Sequence, residues 1–157
     1  MFKRLMRNTK GAVMAEFVIA IVPVMTTFFS FVQLSRIATA RLVVKHSAIV
    51  GARAAAVMSN ANDNTPDQPG GNQQGEVSNA VKTAMGPWFT KAGGFTVVNV
   101  SVTDSSSRSD PYGWVEVKVN TLYACNVPMG FIACGGNTKR LEETFRMPHQ
   151  GAIYKQK

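Results

Sequence analysis

The sequence predicts an α+β fold, in which one long N-terminal helix packs on a small antiparallel sheet of about three strands with one short helix beside it. Two observations predict it. An apolar stretch with helical character fills the first third of the 157 residues. After a polar linker come short stretches in which apolar and polar residues alternate, as in half-buried strands. A chain of this length has room for one small domain with one modest core.

The first element is an apolar segment over residues 12–34, in which Glu16 is the single charged residue. At a rise of 1.5 Å per residue, its roughly 23 residues reach across a hydrocarbon core of about 30 Å. We therefore predict a transmembrane segment over residues 12–35. Four basic residues precede it with no acid among them, namely Lys3, Arg4, Arg7 and Lys10. By the positive-inside tendency, the N-terminus stays in the cytoplasm and the rest of the chain is extracytoplasmic.

Helical character continues beyond the span. Residues 36–58 contain no proline and one glycine, so span and extension together predict one helix of about 45 residues, roughly 70 Å long. Three cations at helical spacing share one stripe of this extension (Arg41, Lys45 and Arg53), and three alanines share another (Ala48, Ala52 and Ala56). The alanine stripe fits the protein's own globular part or a neighbouring subunit. We expect the first, because amphipathic helices usually bury their apolar face within their own chain.

The formal net charge of +8 is distributed unevenly along the chain. Eight basic residues and one acid lie in residues 1–59, whereas nine basic residues and eight acids lie in residues 60–157. The excess flanks the apolar segment, which indicates membrane topology and contact with a lipid bilayer. We expect no nucleic-acid partner.

Two residues make the span unusual for a plain anchor. An ionised Glu16 in hydrocarbon costs about 3 kcal/mol unless it is paired or kept near the interface. Pro23 removes one helical hydrogen bond and is expected to be tolerated or to kink the helix.

A motif surrounds Glu16. The basic leader ends in Lys10-Gly11, and Ala12-Val13-Met14-Ala15-Glu16-Phe17 follows before the unbroken apolar helix. This arrangement resembles the prepilin peptidase site of type IV prepilins. With the alanine-rich string over residues 46–57, it is similar to the TadE-like proteins, minor pilins or pseudopilins of the tight-adherence (Flp, type IVc) pilus. Specific motifs cover about the first sixty residues, and Phe17 stands where that family often has tyrosine.

The resemblance implies that prepilin peptidase removes the leader, residues 1–11, by cutting after Gly11. Ala12 then becomes the N-terminus, and glycine suits an extended backbone at the scissile bond. Glu16 and Phe17 would set the axial register of assembly, with the α-amino group of a neighbouring subunit's Ala12 as the partner of the Glu16 carboxylate. The implied partners are other pilin and pseudopilin subunits and the inner-membrane pilus assembly platform. The implied location is the bacterial inner membrane, single-pass, with a small β-rich domain in the periplasm and incorporation into a surface pilus.

Other interpretations of the same segment remain open. Residues 38–40 and 53–56 offer cuts for an ordinary signal peptidase, which would release a secreted binding domain, although the apolar stretch is long for a signal peptide. An uncleaved anchor would make the protein a membrane-anchored periplasmic scaffold of a pilus or secretion machine.

The C-terminal part begins with a polar linker over residues 59–75, followed by a small α+β domain over residues 76–157. Apolar residues at helical spacing predict a short amphipathic helix over residues 76–89 that ends near Gly86-Pro87. Alternation predicts strands over residues 95–103, 114–123 and 139–147, with Glu143 on the apolar face of the third. A serine-rich run, residues 105–109, reads as a solvated hairpin tip, with surface adhesion as the lesser alternative.

Chemistry-bearing residues are few. Cys125 and Cys134 are the only cysteines, and in an oxidising periplasm we expect them to pair, which for a loop of about ten residues contributes roughly 2.5–3 kcal/mol. Two thiolates are too few for a zinc site, and His46 and His149 lie far off in sequence. We expect no catalytic residues, no metal and no cofactor, and thus no enzyme.

Overall fold

The computed structural model describes residues 9–58, 74–89, 94–105, 113–128 and 131–148. Three helices, a 3-10 turn and three strands form there, and the α+β class is as predicted. In chain order they are α1 (Thr9–Met58), α2 (Gln74–Met85), the 3-10 turn Gly86–Phe89, β1 (Phe95–Asp104), β2 (Trp114–Ala124), α3 (Phe131–Cys134) and β3 (Thr138–Pro148).

Helix α1 has 50 residues and is therefore about 75 Å long. It is continuous through Pro23, so this proline is tolerated inside the helix. The hydroxyl groups of its apolar half donate to its own backbone, for example Thr26 Oγ1 to the Val22 carbonyl at 2.8 Å and Ser30 Oγ to the Thr26 carbonyl at 2.8 Å. Polar side chains satisfied in this way suit an apolar surrounding.

The three strands form one antiparallel sheet in the order β1-β2-β3. Each strand begins within one residue of its predicted start and ends within one of its predicted end. Alternate residues of β2 are fully buried under the helices (Val115, Val117 and Val119). Glu143 lies directly opposite Val119 in the register, half-buried. A bulge between Phe95 and Val97 shifts the alternation of β1.

Both longer helices lie on one face of the sheet. Helix α1 packs on β2 and β3, and α2 packs beside α1 and against β1. Arg41, Lys45 and Arg53 of α1 are exposed. The core contains Ala48 and Ala52 of the alanine stripe, and Ala56 is also buried, so the stripe packs on the protein's own domain as expected. The buried members of the core are Ala40, Val44, Ala48, Ala52, Ala55, Val77, Val81, Met85, Phe95, Val115, Val117, Val119, Tyr123 and Leu141.

Gly51 marks the closest approach of three elements. A Cβ built there would lie 2.6 Å from Val81 Cγ2 of α2 and 3.2 Å from Val117 Cγ1 of β2. Because Gly51 has no side chain, α1 can contact both α2 and β2 at this position.

Two predicted segments fall largely outside the described residues. Of the linker over residues 59–75, residues 59–73 are not described, and α2 begins at Gln74, inside the predicted linker. Most of the serine-rich run lies outside as well. Helix α2 ends at Met85, where Gly86 takes a positive φ of 49° at the predicted end.

Candidate functional site

The first half of α1 is an exposed apolar surface. It is long and apolar enough to cross a membrane, with a mean hydropathy of 2.1 in its most apolar window, of which 6% is buried. Its large exposed side chains are Val13, Met14, Phe17, Val18, Ile19, Val22, Val24, Met25, Phe28, Phe31, Val32 and Leu34. A contiguous apolar surface of this size needs a cover of lipid or of other apolar helices. The helix is thus compatible with a single-pass membrane anchor.

Glu16 is the one charged residue between Gly11 and Ser35. Its side chain is exposed, and none of the other described side chains forms an ion pair with it. Phe17 beside it is also exposed. The structure therefore leaves the carboxylate and the neighbouring ring available to a partner.

The apolar segment has no charged residue after Glu16, and the next one along the chain is Arg36. Twenty helical steps separate them, which corresponds to about 30 Å, the thickness of a hydrocarbon core. A hydrocarbon core of this thickness centred between the two residues would have Glu16 at one boundary and Arg36 at the other. At a boundary, a carboxylate avoids most of the cost of burial in hydrocarbon.

Gly11 and Ala12 lie inside the first turns of α1, which begins at Thr9. The Gly11–Ala12 bond is helical in the structure, because one glycine lowers helix propensity without ending a helix. The first four N–H groups of a helix lack intrahelical acceptors, so unwinding this turn costs little. A peptidase would have to unwind it.

Cys125 and Cys134 form a disulfide, with their Cα atoms 6.7 Å apart. Cys134 ends the four-residue helix α3. The bond lies within the connection between β2 and β3, and we call the described residues from one cysteine to the other, 125–128 and 131–134, the disulfide loop.

Gln33 joins the disulfide loop to the end of the apolar segment. Its Nε2 donates to Cys134 Sγ at 3.3 Å, and its side chain is 0% exposed. Its Oε1 is buried and has no hydrogen-bond partner among the described residues. Gln33 was not predicted from the sequence, where its one signal is an amide side chain in an otherwise apolar segment.

Within the described ranges, no three His, Cys, Asp or Glu side chains are grouped so that they could hold a metal ion. His46 is exposed on α1, and His149 lies outside the described residues. The expectations that the protein has no metal, no cofactor and no catalytic residues stay predictions.

No protein-family model, no curated protein and no solved structure matches this chain. The resemblance to TadE-like proteins therefore rests on the motif around Gly11 and Glu16 and on the string over residues 46–57.

Proposed function

We propose that the protein is a minor pilin or pseudopilin that takes part in assembly of a tight-adherence (type IVc) pilus, after prepilin peptidase cuts its leader behind Gly11. One observation carries the proposal. Half of a 50-residue helix is an uncovered apolar surface, and its single charged group is the fifth residue counted from Ala12.

A helix of this kind fits two successive surroundings. Lipid covers its apolar side chains before assembly, and the helices of other subunits cover them within a fibre. The second half of the same helix is part of the core of the domain. The domain therefore stays attached to the helix both in the membrane and in a fibre. The α-amino group of a neighbouring Ala12 would neutralise Glu16 as it leaves the membrane boundary for the fibre interior.

Cleavage by an ordinary signal peptidase would remove core residues from the folded domain. Ala40, Val44 and Ala48 of α1 are buried in the core. A cut among residues 53–56 would remove all three from the folded domain, and a cut after Ala40 would remove the first. A processing site far upstream, at Gly11, leaves the core complete.

The second candidate is an uncleaved, membrane-anchored periplasmic scaffold of a pilus or secretion machine. The observation that favours it is the continuity of α1, which runs from Thr9 through Gly11 with no structural boundary at the proposed cut. Such a scaffold would stay in the membrane fraction and would not enter fibres.

Sheared surface fibres from cells that carry Glu16→Gln test the proposal. Loss of a charge-assisted contact of about 1.5–3 kcal/mol should lower the amount of protein in the fibre fraction by at least about tenfold, with a normal amount in membranes. Glu76→Gln is the matched control, because it makes the same chemical change at an exposed acid in the first turn of α2.

The control should enter fibres like the unmodified protein. Equal incorporation of Glu16→Gln and Glu76→Gln would contradict the assigned role of Glu16. Absence of the unmodified protein from fibres, with all of it in membranes, would favour the scaffold.

A further inference from the structure

We propose that the disulfide loop docks on the membrane surface and binds anionic lipid headgroups, which holds the domain against the bilayer. The inference depends on the membrane-spanning role of α1 and on no step of processing or pilus assembly.

The contact between Gln33 and Cys134 fixes the height of the loop. Arg36 marks the end of the apolar segment, where the hydrocarbon core ends. Gln33 lies three residues before it, which is about 4.5 Å toward the hydrocarbon. Cys134 is therefore level with the boundary between acyl chains and headgroups.

The sheet gives the same height by a second route. Gly51 of α1 and Val117 of β2 lie at the same height along the helix axis, since a Cβ built on Gly51 would lie 3.2 Å from Val117 Cγ1. From Gly51 back to Gln33 is about 27 Å along the helix. From Val117 forward to Cys125 is about 26 Å along β2. Strand β2 thus runs back toward the membrane over the same distance that α1 runs away from it. The disulfide loop is therefore the membrane-facing end of the domain.

The loop carries an apolar tip at this height. Helix α3 has the sequence Phe131-Ile132-Ala133-Cys134, without a charged or amide side chain. Ile132 is 55% exposed. An exposed apolar group at the headgroup boundary has lipid as its natural cover.

Three cations lie near the loop, either along the chain or on the helix that the loop contacts. Arg36, Lys139 and Arg140 are exposed, on the helix beside the loop and on the start of β3 directly after it. The acid closest to them in the register, Glu142, is already bound by Lys118 and Arg140. Arg140 also donates to Asn120 Oδ1, whereas neither Arg36 nor Lys139 forms an ion pair with another described residue. Apolar side chains flanked by cations are the pattern that binds anionic bilayers.

Tryptophan quenching by brominated lipids tests the proposal on the full-length chain. Ile132→Trp is reconstituted in vesicles of phosphatidylcholine and phosphatidylglycerol with bromines on the acyl chains, and the emission of the unmodified chain, from Trp88 and Trp114, is subtracted. The new tryptophan should lose about half of its emission or more, because an interfacial side chain lies some 5–10 Å into the headgroup boundary.

Val57→Trp is the matched control, since Val57 is as exposed as Ile132 but lies at the far end of α1. Its tryptophan should be quenched by aqueous iodide and not by the bromines. Replacing Arg36 and Lys139 by glutamine in the Ile132→Trp chain should lower the ratio of docked to undocked protein by about fivefold for each cation.

Equal quenching of the tryptophans at positions 132 and 57 would overturn the proposal. Equal docking in vesicles with and without phosphatidylglycerol would overturn its headgroup part alone. Should Ile132→Trp misfold, hydrogen exchange of the loop amides in the unmodified chain replaces it. Slower exchange in anionic than in neutral vesicles supports the proposal, and unchanged exchange contradicts it.

Discussion

Gly51 lies where α1, α2 and β2 meet, and its lack of a side chain sets how closely these elements pack. The atoms that an added Cβ would meet belong to Val81 and Val117, both fully buried. Valine is stiff at χ1, so neither side chain can turn aside at small cost. A side chain added at position 51 would therefore disturb the packing of α1, α2 and β2 together.

We expect Gly51→Ala to destabilise the protein. Overpacking costs about 1–3 kcal/mol, and the better helix propensity of alanine offsets about 1 kcal/mol of that. The net loss should be about 1 kcal/mol, which lowers the thermal midpoint of a chain of this size by about 2–4 °C. Thermal unfolding of the full chain in detergent micelles, followed by circular dichroism, measures it.

Gly75→Ala is the control for this prediction. Gly75 is also helical, in α2, and a Cβ there meets nothing within 4 Å. Alanine at this position should therefore leave the midpoint unchanged or raise it. A midpoint that rises equally in both variants would mean that the close approach at Gly51 does not limit packing.

The roles of individual residues were the hardest part to predict from the sequence. In the sequence, Gly51 differs from its alanine neighbours only in its lower helix propensity. Its packing role becomes visible only in the structure, where Val81 and Val117 lie against it. The contact between Gln33 and Cys134 joins residues 101 apart in the chain, and no local pattern indicates it. By contrast, Glu16 stands out in the sequence because it is the single charge in a segment that is otherwise apolar.

Strands and long helices were predicted well, since their side chains follow a strict period. Alternating valines in β2 mark the buried face of a half-exposed strand, and the structure places them under the helices. Helix α3 was not predicted, because its four residues are too few to show any helical period. Its last residue, Cys134, is linked to Cys125 by the disulfide and contacts Gln33 of α1.

The exposed face of the sheet holds a cluster of charges that links β2 to β3. Lys118 Nζ lies 2.5 Å from Glu142 Oε1, and Arg140 contacts the other carboxylate oxygen at 3.2 Å. The hydrogen bond from Lys118 lowers the pKa of Glu142 below its ordinary value, and Arg140 adds to the effect. A carboxyl group with a lowered pKa stabilises the fold above its unfolded pKa and loses that contribution as the pH falls through the folded one.

Glu142→Gln should therefore lower the thermal midpoint near neutral pH by a small amount, as befits an exposed ion pair. The difference from the unmodified chain should vanish in acid, once the carboxyl group is protonated in both the folded and the unfolded state. Lys118→Met should give a similar loss near neutral pH, and the double variant should lose less than the sum. Additive losses would show that Lys118 and Glu142 act independently. Midpoints at several pH values measure both effects.

At the scale of the whole molecule, α1 is one helix in two surroundings. Its first half is exposed and apolar, and its second half forms one wall of the core. The mean hydropathy of the chain is −0.01, because the apolar helix and the polar remainder cancel. This division was predictable from the sequence, since the apolar segment, the alanine stripe and the linker follow one another in order.

The function proposed for the molecule depends on the bond between Gly11 and Ala12. If prepilin peptidase cuts it, the leader takes with it Lys3, Arg4, Arg7 and Lys10, and the side-chain charge falls by four from +8. Glu16 then becomes the fifth residue of a chain whose new α-amino group can serve a neighbouring carboxylate. Without the cut, the same helix is a plain anchor.

The mass of the mature N-terminal peptide, measured in cells with and without prepilin peptidase, tests this central point most directly. The account predicts a peptide that begins at Ala12 in cells with the peptidase and an uncut leader in cells without it. An uncut leader in both strains, or a chain that starts within residues 39–57, would contradict it.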